Sequence, residues 1–294
     1  METKLYKFSG AGNDFVVIDG REGDVSAFRA VPRIEALCKQ FKTDGLMILG
    51  SALRQAQGPA VDFTMEFYNP DGSGGMMCGN GGRCIVAFAD YLGIRPACHP
   101  ELAEGSYLFM APDGLHTGEI LERPEDGLWT VRIKMIDVQG ITPMLGGYFL
   151  NTGTRHFVKF VEDVEQVDVD AEGKALRWNE AFAPIGTNVN FVHVAPDGLH
   201  VRTFEKGVEG ETLACGTGLT ASAIAAYEIS RLRPAGSARN DNNPVISTKA
   251  EGRVKESVRL RARQDWLSVN FTPGADEKFT DVYLTGPARL VETH

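Results

Sequence analysis

The sequence predicts a mixed α/β fold of the α+β type, with two pseudo-symmetric halves that each wrap a sheet around one buried helix. The stretch MMCGNGGRC (76–84) precedes the apolar run IVAFADYLG (85–93), and ACGTG (214–218) precedes TASAIAAYEIS (220–230). The two cysteines lie 137 residues apart (215 − 78), and Phe67 and Phe204 precede them at the same distance. A helix that is apolar on every face belongs inside a fold, and this repeat is too long for a solenoid. Both observations favour a duplication.

The first half contains strand-like segments rich in β-branched and aromatic residues. EALCKQF (35–41) is typical of a short helix ending near Lys42. The predicted strands are LYKFSG (5–10), DFVVIDG (14–20), TDGLMILG (43–50), VDFTMEFYN (61–69) and WTVRIKMIDV (129–138).

The second half repeats this order after about residue 140. The predicted strands are GGYFLNTG (146–153), RHFVKFV (155–161), NVNFVHV (188–194), VRTFEKG (201–207), DWLSVNF (265–271) and DVYLTGPARLVE (281–292). We therefore predict an N-terminal half at 1–136, joined by the final strands at 278–294, and a C-terminal half at 137–277. The active site is expected in the cleft between the halves.

Three segments lack a periodic pattern and carry proline, glycine or small polar residues, so they are predicted to be surface insertions. Cys98 and His99 of the second segment are interpreted as bystanders. The segments are SALRQAQGPA (51–60), RPACHPELAEGS (95–106) and RPAGSARNDNNP (233–244).

The composition favours a small-molecule substrate. A net charge of −9 disfavours nucleic acid and anionic membranes, which attract basic surfaces. No run of about 18 apolar residues predicts a membrane span, and no apolar signal segment opens the chain. The five cysteines are odd in number and include no C-x-x-C pair, a pattern typical of reduced thiols in the cytoplasm.

Cys78 and Cys215 are predicted to lie where a helix begins. Unpaired amides and the helix dipole favour the thiolate there, and the neighbouring glycines let the backbone approach a ligand closely. Two such thiols could remove an α-proton from one face of an amino acid and return a proton on the other face. The amides would stabilise the charge that develops on the α-carboxylate. This chemistry requires neither a metal nor another cofactor.

Other readings of the same residues are weaker. Cys84 and Cys38 are interpreted as packing residues, and a zinc site from Cys78, Cys84 and His156 lacks a recognised ligand spacing. Neither glycine cluster is a phosphate-binding G-x-x-x-x-G-K-[ST] loop or a G-x-S-x-G elbow.

Four segments resemble the signature segments of the diaminopimelate epimerase family, in order along the chain. They are GAGNDFVVID (10–19), YNPDGSGGMMCGNGGRC (68–84), NVNFV (188–192) and FEKGVEGETLACGTG (204–218). The resemblance implies a cofactor-independent isomerase that interconverts LL- and meso-2,6-diaminopimelate in bacterial lysine and peptidoglycan synthesis. It also implies two pseudo-symmetric halves, with the final strands returning to the first half.

The resemblance assigns roles to individual residues. Cys78 and Cys215 match the acid/base pair, and His156 matches a supporting histidine near the catalytic centre. Amides around the reacting carboxylate are expected from Gly79, Asn80, Gly216 and Thr217. Substrate hydrogen bonds are expected from Asn13, Asn69 and Asn190, and Glu205 matches an acidic residue near the distal ammonium group.

The sequence departs from the family pattern at two places. Lys206 stands where arginine is usual, and a G-N-P-H-like stretch reads Gly153-Thr154-Arg155-His156. Arginine grips a carboxylate with two parallel bonds, whereas lysine offers a compact charge. We expect Arg155 or Lys206 to neutralise the distal carboxylate.

Two alternatives stay open at this stage. One is a cofactor-independent racemase of another amino acid, such as histidine or proline, on the same fold. The other is a thiol redox or metal-binding protein that uses Cys78 and Cys215 as a reversible pair. A homodimer is possible.

Overall fold

The computed structural model describes residues 3–21, 23–52, 59–75, 77–99, 102–123, 126–232, 245–250 and 253–294. The chain forms two compact units. Unit 1 comprises residues 1–133 and 286–294, and unit 2 comprises residues 134–285.

Unit 1 begins with a tight hairpin. Ala11 and Gly12 connect its first two strands with φ angles of 56° and 92°, and a two-residue turn of this kind needs positive φ at both positions. The elements are β1 (Leu5–Gly10), β2 (Asn13–Asp19), α1 (Val31–Phe41), β3 (Gly45–Gly50), β4 (Phe63–Tyr68), α2 (Gly79–Tyr91), β5 (Ser106–Ala111), β6 (Gly114–Glu122) and β7 (Leu128–Lys134).

The sheet of unit 1 closes on itself. From β1 to β7, consecutive strands pair in the order antiparallel, parallel, antiparallel, parallel, antiparallel, antiparallel. The end of the last strand, β17 (Phe279–Thr293), then pairs with both β7 and β1. No edge of this sheet is left between β1 and β7, as in a barrel.

Helix α2 lies against one face of this sheet and α1 against the other. The α2 residues from Gly79 to Ala89 are all buried, and α2 contacts β1, β2, β3 and β6. On the other face, Ile34, Leu37 and Cys38 of α1 pack with alternate residues of β2 and β3. The strands between the two helices are therefore buried on both sides, which explains their continuous apolar runs.

Unit 2 contains the remaining elements. They are β8 (Ile141–Met144), β9 (Gly147–Asn151), β10 (Arg155–Phe160), α3 (Val169–Arg177), β11 (Asn188–Ala195), β12 (Gly198–Glu205), β13 (Gly210–Thr212), α4 (Gly216–Leu232), β14 (Val245–Ala250), β15 (Arg253–Arg261), β16 (Trp266–Pro273) and the first part of β17.

The pairing order of unit 2 repeats that of unit 1. The strands β9, β10, β11, β12, β15, β16 and β17 pair in the order antiparallel, parallel, antiparallel, parallel, antiparallel, antiparallel. Helix α3 occupies the place of α1, and α4 occupies the place of α2. The predicted mixed α/β class, with one buried helix in each half, is confirmed.

The alternation of side chains in unit 2 decides which residues meet α4. Phe157, Val189, Phe191 and Phe204 form a cluster with α3 residues and Phe182. Successive residues of a strand point to opposite faces of the sheet. The strand residues that alternate with this cluster therefore point toward α4. These are His156 on β10, Asn188 and Asn190 on β11, and Thr203 and Glu205 on β12.

Several local predictions need correction. The first helix begins at Val31 rather than Glu35, because Pro32 is tolerated in a first helical turn. The strand predicted at 129–138 ends at Lys134. Strands β5 and β6 were not predicted, because short apolar runs such as SYLFMA do not distinguish a strand from a buried helix.

The proposed insertions differ in how much of them is described. Residues 53–58 and all of 233–244 lie outside the described residues, as do 100 and 101. The described part of 95–106 is anchored to Asp62, whose carboxylate accepts from Ala97 N at 2.7 Å and lies 3.0 Å from His99 Nε2. Cys98 is exposed, and Ser106 already belongs to β5.

Within the described residues, the helices are too short or too polar to span a lipid bilayer.

Removing the ring of Phe182 should destabilise unit 2. The side chain is fully buried and lies 5.6 Å from the Phe149 ring and 5.4 Å from the Phe157 ring, centroid to centroid. We expect Phe182→Ala to lower the free energy of unfolding by about 3–5 kcal/mol, measured by urea denaturation. The control Ile185→Ala, at a side chain 54% exposed, should change it by less than about 0.5 kcal/mol. Equal effects would contradict the packing described.

Candidate active site

Cys78 caps the N-terminus of α2. Its backbone is extended, with φ −100° and ψ 150°, and its Sγ accepts a hydrogen bond from Gly81 N at 3.2 Å. A buried helix start leaves backbone amides that need acceptors, and an amide donor at this position favours the thiolate. The predicted placement of this thiol at a helix start is therefore what the structure shows.

The first turn of α2 is tied to the β1–β2 hairpin. Asn80 Nδ2 donates to Asn13 Oδ1 at 2.5 Å, and the buried Arg83 donates to Asn80 Oδ1 at 2.8 Å and to Gly79 O at 3.2 Å. Asn13 Nδ2 donates in turn to Asp44 Oδ2 at 3.3 Å. Asn13 and Asn80 are thus brought together beside Cys78.

Asn69 lies in the turn that follows β4. Its Nδ2 donates to Ser73 Oγ at 3.0 Å, and its backbone N donates to Ser73 O at 2.9 Å. These bonds fold the turn back on itself, and Asn69 is half-buried.

Cys215 lies directly before α4 in unit 2. It is 8% exposed, and its Sγ lies 3.4 Å from Thr217 Oγ1. Leu219 N donates to Cys215 O at 2.9 Å, which starts the helix. Thr217 thus places a side-chain hydroxyl beside the sulfur of Cys215.

His156 lies behind Thr217 and is fully buried. Its Nε2 is 2.9 Å from both Thr217 Oγ1 and Thr154 Oγ1, and its Nδ1 is 3.0 Å from Asn190 Nδ2. Burial lowers the pKa of His156 to about 3. The imidazole is therefore uncharged at neutral pH.

Asn190 supports His156 from inside the unit. Its Nδ2 donates to Phe157 O at 3.2 Å as well as to His156, and its Oδ1 accepts from Thr203 Oγ1 at 3.0 Å. It is 0% exposed, so its polar atoms are occupied away from any ligand. This placement differs from the substrate contact expected of Asn190.

Asn188 was not predicted as a site residue, and it lies beside the loop that carries Lys206. Its Nδ2 donates to Thr154 Oγ1 at 3.3 Å and to Arg155 O at 2.9 Å, and its Oδ1 accepts from Lys206 N at 2.8 Å. Both asparagines of NVNF face α4, and Asn188 lies closer to the loop that carries Lys206. The two-residue strand period could have identified both as candidates, but it does not rank them.

Gly218 allows α4 to approach this network. A Cβ atom at Gly218 would lie 2.3 Å from Asn190 Oδ1 and 3.3 Å from His156 Cε1. The second glycine of C-G-x-G therefore serves close packing of the helix against β10 and β11.

Glu205 and Arg155 occupy different faces of the sheet. Burial raises the pKa of Glu205, and Thr212 Oγ1 donates to its Oε2 at 3.0 Å, which opposes the shift. Arg155 points to the α3 face, where its guanidinium lies 5.1 Å from the centroid of the Phe149 ring and Nη1 donates to Phe182 O at 3.4 Å. Arg155 is therefore separated from His156 by the thickness of the sheet.

Lys206 is exposed, and its ammonium has no ion-pair partner in the described part of the chain. The loop that carries it is held by Glu209, whose Oε1 accepts from Gly207 N at 3.1 Å and lies 3.2 Å from Arg177 Nη2. Lys206 is thus the cation available beside Asn188 and Glu205.

Cys38 and Cys84 are packing residues. Cys84 and Cys38 are buried, and burial raises the pKa of each thiol. Both ring nitrogens of His156 are occupied by hydrogen-bond partners. No group of three metal-ligating side chains occurs among the described residues.

Comparison with known proteins identifies the family. A family model described as diaminopimelate epimerase matches residues 5–107 and 148–261. A diaminopimelate epimerase of Flavobacterium psychrophilum is 36% identical over 292 residues, covering 98% of this chain and 98% of the relative. One of Aquifex aeolicus is 40% identical over 247 residues, covering 76% of this chain and 81% of the relative.

Solved structures with a similar fold are more distant in sequence. A probable proline racemase from Agrobacterium radiobacter has a TM-score of 0.57 at 16% identity, covering 100% of this chain and 92% of that chain. A protein of the phenazine biosynthesis PhzF family from Enterococcus faecalis has a TM-score of 0.56 at 14% identity, covering 100% and 98%. These similarities show a shared fold.

The buried imidazole of His156 should make stability depend on pH. Its pKa is about 3 in the folded chain, against an ordinary value of 6.5. Between these values the unfolded chain binds more protons, so the stability falls as pH falls below 6.5, by up to about 1.4 kcal/mol per pH unit. His156→Gln has no imidazole at this position and so lacks this pH dependence. The difference in the free energy of unfolding between the wild type and His156→Gln, measured by urea denaturation, should therefore shrink from pH 6.5 to 4.5. A pH-independent difference would contradict a neutral buried imidazole.

Proposed function

The chain belongs to the diaminopimelate epimerase family and is an isomerase, and we propose that Cys78 and Cys215 carry its chemistry. The reaction is the interconversion of LL- and meso-2,6-diaminopimelate by proton transfer at one α-carbon. The observation that carries this proposal is the presence of a cysteine directly before the buried helix of each unit.

The proposed reaction moves two protons in balance. One cysteine acts as a thiolate and takes the α-proton, so that a C–H bond breaks and an S–H bond forms. The electron pair is delocalised onto the α-carboxylate. The other cysteine acts as a thiol and donates its proton to the opposite face of the carbon, so that the configuration inverts. After one turnover the two cysteines have exchanged protonation states.

Backbone amides supply the stabilisation of the developing negative charge. Donors aimed at such charge are a large contribution to catalysis in a water-poor site. Gly79 with Asn80 and Gly216 with Thr217 are proposed to supply these amides. Because the charge rests on the carboxylate, the scheme assigns no step to pyridoxal phosphate or to a metal.

The distal half of the substrate requires groups of both charges. We assign its ammonium group to Glu205 and its carboxylate to Lys206, with Asn69, Asn13 and Asn188 as hydrogen-bonding residues. Asn188 replaces Asn190 in this assignment, because Asn190 is occupied by His156, Phe157 and Thr203. Arg155 is left out because it lies on the α3 face.

A cytoplasmic location is part of this proposal. Its support is the cysteine pattern, odd in number and without a C-x-x-C pair. A homodimer stays a prediction.

Proton NMR in deuterium oxide tests the function directly. The reduced protein, without added cofactor, should remove the α-proton signal of LL-diaminopimelate and produce the meso isomer. Cys78→Ala and Cys215→Ala should each abolish this conversion, while Cys98→Ala, at an exposed cysteine, should retain it. If the α-proton of histidine or proline exchanges and that of diaminopimelate does not, the two-cysteine chemistry is supported and the substrate assignment is overturned. If no amino acid exchanges its α-proton, both are overturned.

Lys206→Ala should weaken substrate binding. Loss of the ammonium that faces the distal carboxylate is expected to raise KM for diaminopimelate about tenfold, corresponding to roughly 1.4 kcal/mol, with a smaller change in kcat. Arg155→Ala is the matched cation control and should leave KM within about twofold, because its guanidinium packs on Phe149 on the other face. A larger effect of Arg155→Ala than of Lys206→Ala would reverse the assignment.

A further inference from the structure

The turn between β5 and β6 contacts the segment that leads into Cys78. Met77, the residue directly before Cys78, donates from its backbone N to Asp113 Oδ1 at 3.2 Å. The hydrogen bonds of Asn80 and Arg83 hold the first turn of α2, which follows the cysteine. Asp113 therefore holds the chain on the other side of Cys78, before the helix begins.

The geometry of this turn restricts the position of Asp113. Ala111 pairs with Gly114 across the hairpin, so the turn consists of two residues, Pro112 and Asp113. A pyrrolidine ring fixes φ at about −65°, which restricts Pro112. Gly114 follows with a φ of 131°, a value that favours glycine. The carboxylate is thus presented from a constrained backbone at the end of two paired strands.

His116 on β6 holds the same carboxylate oxygen. Its Nε2 lies 3.1 Å from Asp113 Oδ1, and because a carboxylate oxygen only accepts, Nε2 carries the hydrogen. The imidazole lies near the Phe109 ring of β5, with 5.6 Å between the ring centroids. The side chains of His116 and Asp113 are 17% and 21% exposed. The oxygen that accepts from Met77 N is therefore itself fixed by a neighbouring side chain.

Met77 is also held through its side chain. A Cβ atom at Gly82 would lie 2.8 Å from Met77 Sδ, so the glycine in the first turn of α2 allows this close contact. Two residues earlier, Gly75 N donates to Phe67 O at 3.0 Å. The chain is thus fixed at several points as it enters the helix.

We propose that Asp113 is a positioning residue for Cys78 and acts through the backbone amide of Met77. A fixed Met77 favours the extended backbone of Cys78, with φ −100° and ψ 150°, from which Sγ accepts from Gly81 N at 3.2 Å. Under the proposed function, on which this step rests, the same sulfur must also reach the α-carbon of the substrate. A displacement of about 1 Å can slow such a reaction by about 100-fold.

The second unit has an equivalent contact made by different atoms. In the repeated pairing order, the β15–β16 turn corresponds to the β5–β6 turn. Arg263 N of this turn donates to Leu213 O at 3.2 Å, and Leu213 lies two residues before Cys215. The guanidinium of Arg263 lies 3.4 Å from Glu211 Oε1 and 3.1 Å from Glu165 Oε2. The same hairpin turn therefore holds the segment before each cysteine, and in unit 1 it does so through a side chain.

Hydrogen exchange of backbone amides tests the Asp113–Met77 hydrogen bond without substrate. Rates would be measured by NMR on the reduced, ¹⁵N-labelled full chain. Asp113→Ala should speed exchange at Met77 and at Gly81 about five- to tenfold, the effect of losing one hydrogen bond. Asp113→Asn keeps an acceptor oxygen without the charge and should leave both rates within about twofold. Leu219 N, which donates to Cys215 O at the other helix start, should keep its rate in each variant.

The kinetics of diaminopimelate conversion test the consequence for catalysis. Asp113→Ala should lower kcat about tenfold and leave KM within about twofold, because the residues assigned to substrate binding stay in place. Asp113→Asn should restore kcat to within about threefold of the wild type. His116→Ala keeps the Met77 contact and should lower kcat less than Asp113→Ala does. Asp126→Ala, at an exposed aspartate between β6 and β7, is the matched control and should change neither constant.

The outcomes distinguish this proposal from the proposed function. Unchanged exchange at Gly81 in Asp113→Ala, or faster exchange with an unchanged kcat, would overturn the positioning role even if diaminopimelate is converted. Faster exchange at Met77 and Gly81 in a protein that converts no amino acid would support the contact and overturn the function. Equal losses of kcat in Asp113→Asn and Asp113→Ala would assign the effect to charge and overturn the proposal. A purely structural role would speed exchange at Leu219 as well.

Discussion

The burial of a helix N-terminus inside each sheet is the constraint on which the rest of the structure depends. The first amides of such a helix have no intrahelical acceptor and must find one nearby. At α2, one of them donates to the sulfur of Cys78. An anionic group is a suitable acceptor for the remaining amides. At α2 the arrangement thus explains why a cysteine and several glycines lie together at the helix start.

The duplicated pairing order places the two helices alike, but the two cysteines differ in their surroundings. Position 83 in unit 1 corresponds to position 220 in unit 2. Arg83 Nη1 donates to Gly79 O at 3.2 Å, and Thr220 Oγ1 donates to Gly216 O at 3.0 Å, so the same carbonyl of each helix start is satisfied. The neighbouring side chains differ, because unit 1 has the buried guanidinium of Arg83 near its helix start and unit 2 has the neutral imidazole of His156. The copies share a backbone plan and differ in how side chains tune each sulfur.

The general plan could be predicted from the sequence because it rests on strong local signals. Two apolar helices after C-G-x-G indicated both helix starts, and the apolar segments at β2 and β3 indicated strands. The diaminopimelate epimerase family, suggested by four segments, is confirmed. Strands β5 and β6 were not predicted, because a short apolar run such as SYLFMA fits a strand or a buried helix.

The finer assignments depend on three-dimensional neighbours. Arg155 and His156 are adjacent in sequence, yet strand alternation places them on opposite faces, and this period-two argument was available from the sequence. The choice between Asn188 and Asn190 could not be made from the sequence. It depends on the neighbours of each side-chain amide: Thr203 and Phe157 contact Asn190, whereas Lys206 N and Thr154 contact Asn188.

The central claim is that two different cysteines take and return the proton, and the timing of deuterium uptake tests it most directly. LL-diaminopimelate would be converted in deuterium oxide to a few per cent, the isomers separated, and each analysed by mass spectrometry. Two bases predict that the meso product carries one deuterium from the first turnover while the remaining LL substrate carries none. The same should hold in reverse, from meso to LL. A product that retains its original proton would show that a single base returns it, and would contradict the account.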